Sequence, residues 1–126
     1  MRRIIRLAII GSFILLFTGN LFADINLSGL FAYPVPFNPK KASTKLIKLD
    51  GGPTSGSYSI KMEVFDINGD IVISRSFSGG FANVQWNARN EKGTLVSPGM
   101  YIMKLSAEDN STGDFGKKII RILIAY

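Results

Sequence analysis

The sequence predicts an all-β chain: an antiparallel sandwich of six to seven strands that follows a removable N-terminal signal. Three observations carry this. Tyr58 to Phe65 alternates, with Tyr58, Ile60, Met62 and Val64 on one face and Ser59, Lys61 and Glu63 on the other, the period of a strand with one buried face. Turn formers cluster at Asp50 to Gly56, Asp66 to Asp70, Ser78 to Gly80 and Asp109 to Asp114, which spaces the strands about 8–12 residues apart as in sandwiches. After Ala23 no segment repeats its apolar residues at helical spacing.

The N-terminus reads as an address. Arg2, Arg3 and Arg6 precede an apolar run from Leu7 to Phe17, and Leu21-Phe22-Ala23 ends on a small residue. This is the layout of a signal peptide, with cleavage expected after Ala23. A membrane anchor needs about 20 consecutive apolar residues, more than this run supplies, so no stable span is expected after cleavage. The chain divides into residues 1–23 as signal peptide, 24–32 as a short leader and 33–126 as the folded domain.

Each later element follows from its pattern. Tyr33 to Pro39 holds three of the 5 prolines and is expected to be extended and outside any central strand, with Tyr33 and Phe37 packing on the end of the sandwich. Ser43 to Leu49 reads as the first strand and Tyr58 to Phe65 as the second. Asn68-Gly69 makes a tight hairpin, since both residues tolerate positive φ. Ile71 to Phe77 returns with Ile71 and Ile73 inward. Phe81 to Asn87 forms a strand around Val84 and Trp86. A Gly-containing connection leads through Pro98-Gly99 to Tyr101 to Ala107, and Lys117 to Ile124 is last. That final strand is apolar on both faces, with Ile120, Ile122 and Ile124 on one and Ile119 and Leu123 on the other. It fits either a binding edge or a buried central strand.

Composition narrows the function. The net charge is +6, from 15 Lys+Arg against 9 Asp+Glu. Three arginines lie in the signal, leaving 12 against 9, about +3 for the mature chain. After Ala23 the only basic pairs are Lys40-Lys41 and Lys117-Lys118, so nucleic acid is not an expected partner. Without cysteine there is no disulfide framework and no lipoprotein anchor, so the roughly 100 mature residues must rely on a hydrophobic core. Without histidine the commonest general base and zinc ligand are missing. Asp66-x-Asn68-x-Asp70 resembles the start of a calcium loop, but Ile71 and Phe77 stand where that loop needs Gly and Glu, and a hairpin turn explains it. No nucleophile constellation occurs. No enzyme activity, cofactor or metal is expected. Trp86 fits a core anchor between sheets better than a ligand platform, and Gly69, Gly93 and Gly99 fit turns.

Four segments carry a family resemblance. Tyr33-Pro34-Val35-Pro36-Phe37-Asn38-Pro39 resembles the Tyr-Pro-Asn-Pro-Phe-Asn-Pro motif that opens certain bacterial C-terminal sandwich domains. Val64-Phe65-Asp66-Ile67-Asn68-Gly69-Asp70-Ile71-Val72 is similar to their Val-Tyr-Asp-x-x-Gly-x-x-Val hairpin. Trp86-Asn87 with Gly93, Gly99 and Tyr101 is similar to their Trp-Asp/Asn-Gly block and its later glycines and tyrosine. Lys118-Ile119-Ile120 resembles their closing strand. Together, from Tyr33 to Ile124, they resemble the immunoglobulin-like domain of the flagellar hook-capping protein FlgD and the related sorting domains of type IX secretion. The resemblance implies an immunoglobulin/fibronectin-III-like sandwich with a binding or assembly role. Val35 and Ala88 depart from the pattern, standing where Asn and Gly are usual. The large part that precedes such domains is not expected here, since few residues separate Ala23 from Tyr33. A Sec-type signal also suits the hook-capping protein poorly, because that protein leaves through the flagellar channel.

The expected function is a non-enzymatic exported module that binds or scaffolds cell-envelope proteins, with the last strand (Ile120, Ile122, Ile124) as candidate edge. The alternatives are a type IX sorting domain or its remnant, and a flagellar hook-assembly accessory. The expected partner is an envelope or secretion-system protein. The expected location is the periplasm, the cell surface or the medium.

Overall fold

A computed structural model describes residues 24–41 and 45–126. The predicted signal peptide and the start of the predicted first strand, Ser43 and Thr44, lie outside them. The described residues form seven strands: β1 Phe31–Tyr33, β2 Ile47–Asp50, β3 Tyr58–Phe65, β4 Ile71–Gly79, β5 Gln85–Trp86, β6 Gly99–Asp109 and β7 Phe115–Ile124. Two antiparallel sheets result, one ordered β1-β2-β5 and one ordered β4-β3-β6-β7. The expected all-β sandwich is the observed fold.

The alternation in the sequence places the core. Tyr58, Ile60, Met62 and Val64 of β3 are buried, as are Tyr101, Met103, Leu105 and Ala107 of β6. Ile47, Leu49 and Trp86 meet them from the other sheet in the same cluster. Each of the Ile, Leu, Val and Met side chains among them contributes roughly 1.5–3 kcal/mol by leaving water, and no disulfide is present to help.

Three expectations are corrected. Val64 faces Ile73 while Phe65 faces Ile71, so Val72 is an extra residue in β4. This bulge shifts the side-chain alternation: Val72 packs against the core and Ile71 points out, 54% exposed. Phe81 to Asn87 is not one strand. Phe81–Asn83 is a single 3-10 turn, with Val84 donating its N–H to the Phe81 carbonyl at 3.1 Å, and only Gln85–Trp86 pairs, with β2. Tyr33 is 43% exposed, and only Phe37, at 1%, packs inside.

Residues 24–32 are no mere leader. Leu27 and Leu30 are each 3% exposed within the core, and Phe31–Tyr33 pairs with β2. Close packing fixes this segment: Gly51 has φ +81, and a Cβ there would strike the Gly29 carbonyl. The folded unit therefore includes the residues from Asp24 onward.

Candidate functional site

The four-stranded sheet has two edges, β4 and β7. In an antiparallel strand the N–H and C=O of one residue point to the same side, and the side alternates along the chain. The edge strands thus present every second residue's backbone groups to a newcomer, and proteins commonly obstruct such rows.

β4 is obstructed. Its outward residues are Ser74, Ser76 and Ser78. The Ser74 N–H donates to Glu91 Oε2 at 3.0 Å, and the Asn83 amide donates to the Ser78 carbonyl at 3.0 Å. Arg75 lies opposite Met62, on the inner-face register of an edge strand, and its guanidinium binds Glu91 Oε1 at 2.6 Å and the Ser74 carbonyl at 2.8 Å. The Arg75 hydrogen bond, followed by that of Ser74, holds the Glu91 carboxyl below the usual carboxylate range. Arg75, Glu91, Trp86 and Arg89 line an open groove of about 300 Å³ between β4 and β5. The sequence reading missed Arg75 and Glu91. The signal was present: an arginine in an otherwise apolar alternation after Ile71 and Ile73.

Among the described residues, β7 is obstructed only at its ends. The Ile25 N–H donates to the Phe115 carbonyl at 2.6 Å. At the other end the Phe37 N–H donates to the Leu123 carbonyl at 2.8 Å and the Phe37 carbonyl accepts from the Ala125 N–H at 2.9 Å. Both contacts are parallel bridges, Asp24 to Phe115 and Phe37 to Ile124. They fix the outward row as the odd-numbered residues. Between the ends, the backbone groups of Lys117, Ile119 and Arg121 have no hydrogen-bond partner among the described residues.

The side chains of the expected edge point the other way. Ile122 and Ile124 are 0% and 1% exposed in the core, and Ile120 is half-buried against it. The accessible side chains are Phe115, Lys117, Ile119, Arg121 and Leu123, with Ile119 64% exposed. β7 is thus both an edge strand and a core strand, with Ile120, Ile122 and Ile124 turned to the core and the odd-numbered residues turned to solvent.

The motif residues gather at turns and packing contacts. Trp86 is 2% exposed, donates from Nε1 to the Arg89 carbonyl at 3.0 Å, and meets Tyr101 edge-on at 5.8 Å between centroids. The Tyr101 hydroxyl donates to the Ser97 carbonyl at 2.7 Å, and burial pushes its pKa up, with the charge of Asp66 adding. Gly93 and Gly99 have φ of 82° and 150°. Ala88, the departure from glycine, has φ 62° and is 0% exposed. Asn68 and Gly69 form the hairpin tip: Asp66 Oδ1 accepts from the N–H groups of Asn68 and Asp70 at 2.9 and 3.0 Å. Pro34, Pro36 and Pro39 flank Phe37, and the Tyr33-Pro34 and Val35-Pro36 bonds are cis. Asn38 turns the chain, its Oδ1 accepting from the Lys40 N–H at 2.9 Å. Among the described residues no group of three or more acidic side chains comes together as a metal site, and no helix is long and apolar enough to cross a membrane.

No protein-family model and no curated protein matches the chain. Solved structures do. A part of PorZ, described as an essential bacterial surface component of the type-IX secretion system of Porphyromonas gingivalis, superposes with a TM-score of 0.51 at 24% identity, covering 79% of this chain and 12% of that one. A part of dimeric latent PorU from the same organism gives 0.50 at 11% identity, covering 76% and 9%. The chain is thus similar in fold to a small part of each.

Proposed function

We propose that the protein is an exported, non-enzymatic β-sandwich module that binds or scaffolds envelope proteins of a type IX secretion system, and that it does so by strand addition at β7. The observation that carries this is the asymmetry of the two edges. Glu91, Arg75 and Asn83 occupy β4, while among the described residues β7 keeps an open row at Lys117, Ile119 and Arg121. A partner strand there gains main-chain hydrogen bonds without disturbing the core. The fold shared with parts of PorZ and PorU supports the compartment, as do the signal-peptide pattern and the motifs that resemble type IX sorting domains.

In-cell crosslinking tests the reading, with a photoreactive residue at position 119 of the tagged protein in its host. Capture of a defined envelope protein supports it. Crosslinks to none, with the protein free in the medium and trimmed at its C-terminus, would instead favour a sorting-domain role.

A further inference from the structure

The free stretch of β7 is also charged, and this selects its occupant. Lys117 and Arg121 are exposed on either side of Ile119, and neither has an ion-pair partner among the described residues. Lys104 stands directly opposite Ile119 on β6, with Glu63 of β3 opposite it in turn, so it is a third cation on this face but one that a carboxylate borders. All three alternate onto the outer face of the sheet, away from the core.

These charges argue against a second copy of the chain. Two β7 strands pairing antiparallel about Ile119 would set Lys117 opposite Arg121 twice, and like charges directly opposite in a sheet repel. An antiparallel partner strand with carboxylates at those two places reverses the sign of both contacts. The geometry points to an extended segment of another protein as the occupant, about five residues long, with Asp or Glu at its first and fifth positions and an apolar residue at its third. This inference rests on β7 being the binding edge and adds the chemistry of what binds.

The remaining positions follow from the register. The second residue of the partner lies beside half-buried Ile120 and extends the apolar layer. The fourth lies beside Lys118, whose amine already donates to the Ser28 carbonyl at 3.0 Å, so a small side chain suits it. Ile25 and Phe37 hold the ends of β7, so the partner enters and leaves over the outer face. A five-residue insertion spans about 16 Å.

The test is an NMR titration of the purified protein with two peptides, Gly-Ser-Glu-Val-Val-Thr-Glu-Ser-Gly and its counterpart with both glutamates replaced by lysine. The expected result is that only the acidic peptide shifts the amides of Lys117, Ile119 and Arg121 and slows their exchange. The K117E/R121E variant should reverse the preference, by on the order of tenfold in each direction. The peptide comparison uses the unaltered chain, so it stands whatever the variant does to folding. No response, an equal response to both peptides, or shifts confined to other residues would overturn the inference. So would binding to phosphatidylglycerol vesicles without any response to peptide, or a dimer of the protein with these amides protected. Host crosslinks from β7 to a strand lacking acidic residues would overturn the charge preference and leave the edge reading standing. Absence of any crosslink from β7 would overturn the edge reading itself.

Discussion

Glu91 binds Arg75 and the β4 backbone at once: one carboxylate oxygen accepts from the guanidinium at 2.6 Å and the other from the Ser74 N–H at 3.0 Å. A single side chain from the connection after β5 thus closes the first outward position of an edge strand and neutralises an inward-directed arginine.

This contact has a pH signature. The folded Glu91 pKa is lowered, first by the Arg75 hydrogen bond, so its stabilisation is present above the unfolded value and is lost as pH falls through the folded one. Asp109 behaves alike, its carboxylate accepting from the Ser111 N–H and hydroxyl at 2.9 and 2.8 Å. Glu91→Gln and Asp109→Asn should each lower the thermal midpoint at pH 7. The difference from the parent should shrink progressively as pH falls through and below the ordinary carboxylate range. Thermal melts between pH 7 and pH 2.5 check this, and a pH-independent difference would contradict it.

Ala88 combines φ 62° with complete burial. The left-handed region costs an alanine about 1–2 kcal/mol. Ala88→Gly relieves that but gives up a buried methyl worth about 0.8 kcal/mol and some chain entropy, so stability should stay within about 1 kcal/mol. Ala88→Val adds β-branched strain and overpacking, and a loss of about 3 kcal/mol or more is expected. Urea denaturation followed by the fluorescence of Trp86, the 1 Trp of the chain, measures both.

Ile119 and Ile122 differ in accessibility although both belong to β7, at 64% and 0% exposed. Ile122→Lys should cost about 4 kcal/mol or more, since it removes core packing and buries an ammonium. Ile119→Lys, which sets a cation opposite Lys104, should cost no more than about 1 kcal/mol. Equal urea midpoints for the two variants would refute the assignment of faces.

Leu27 tests whether the segment before β1 is structural. Leu27→Ala should destabilise the domain by about 2–4 kcal/mol as a core truncation. It should also speed hydrogen exchange at the Ile25 N–H, which donates to Phe115. A neutral substitution would return this segment to the status of a leader.

The strands with clean alternation were legible, because a half-buried strand writes its two faces directly into the sequence. Tyr58 to Phe65 and Tyr101 to Ala107 are the clearest cases. Three features were not. Ile71 reads as inward because a bulge, which changes which residues share a face, leaves no mark in the alternation. Leu27 and Leu30 give no signal because two leucines flanked by Asn26, Ser28 and Gly29 show no period. The outward row of β7 was missed because apolar residues on both faces do not reveal which face meets the core. That depends on the partner sheet, and on Asp24 and Phe37 reaching the strand from far along the chain.

Those two bridges set an order of events. Asp24 docks on Phe115 and Phe37 docks on Ile124, so the earliest described segment waits for the latest. A ribosome delivers the N-terminal side first, and contacts this distant in sequence form slowly. The nascent chain therefore spends an interval with its opening segment unattached and its sandwich incomplete. A transport channel that accepts only unfolded polypeptide would find its opportunity in that delay.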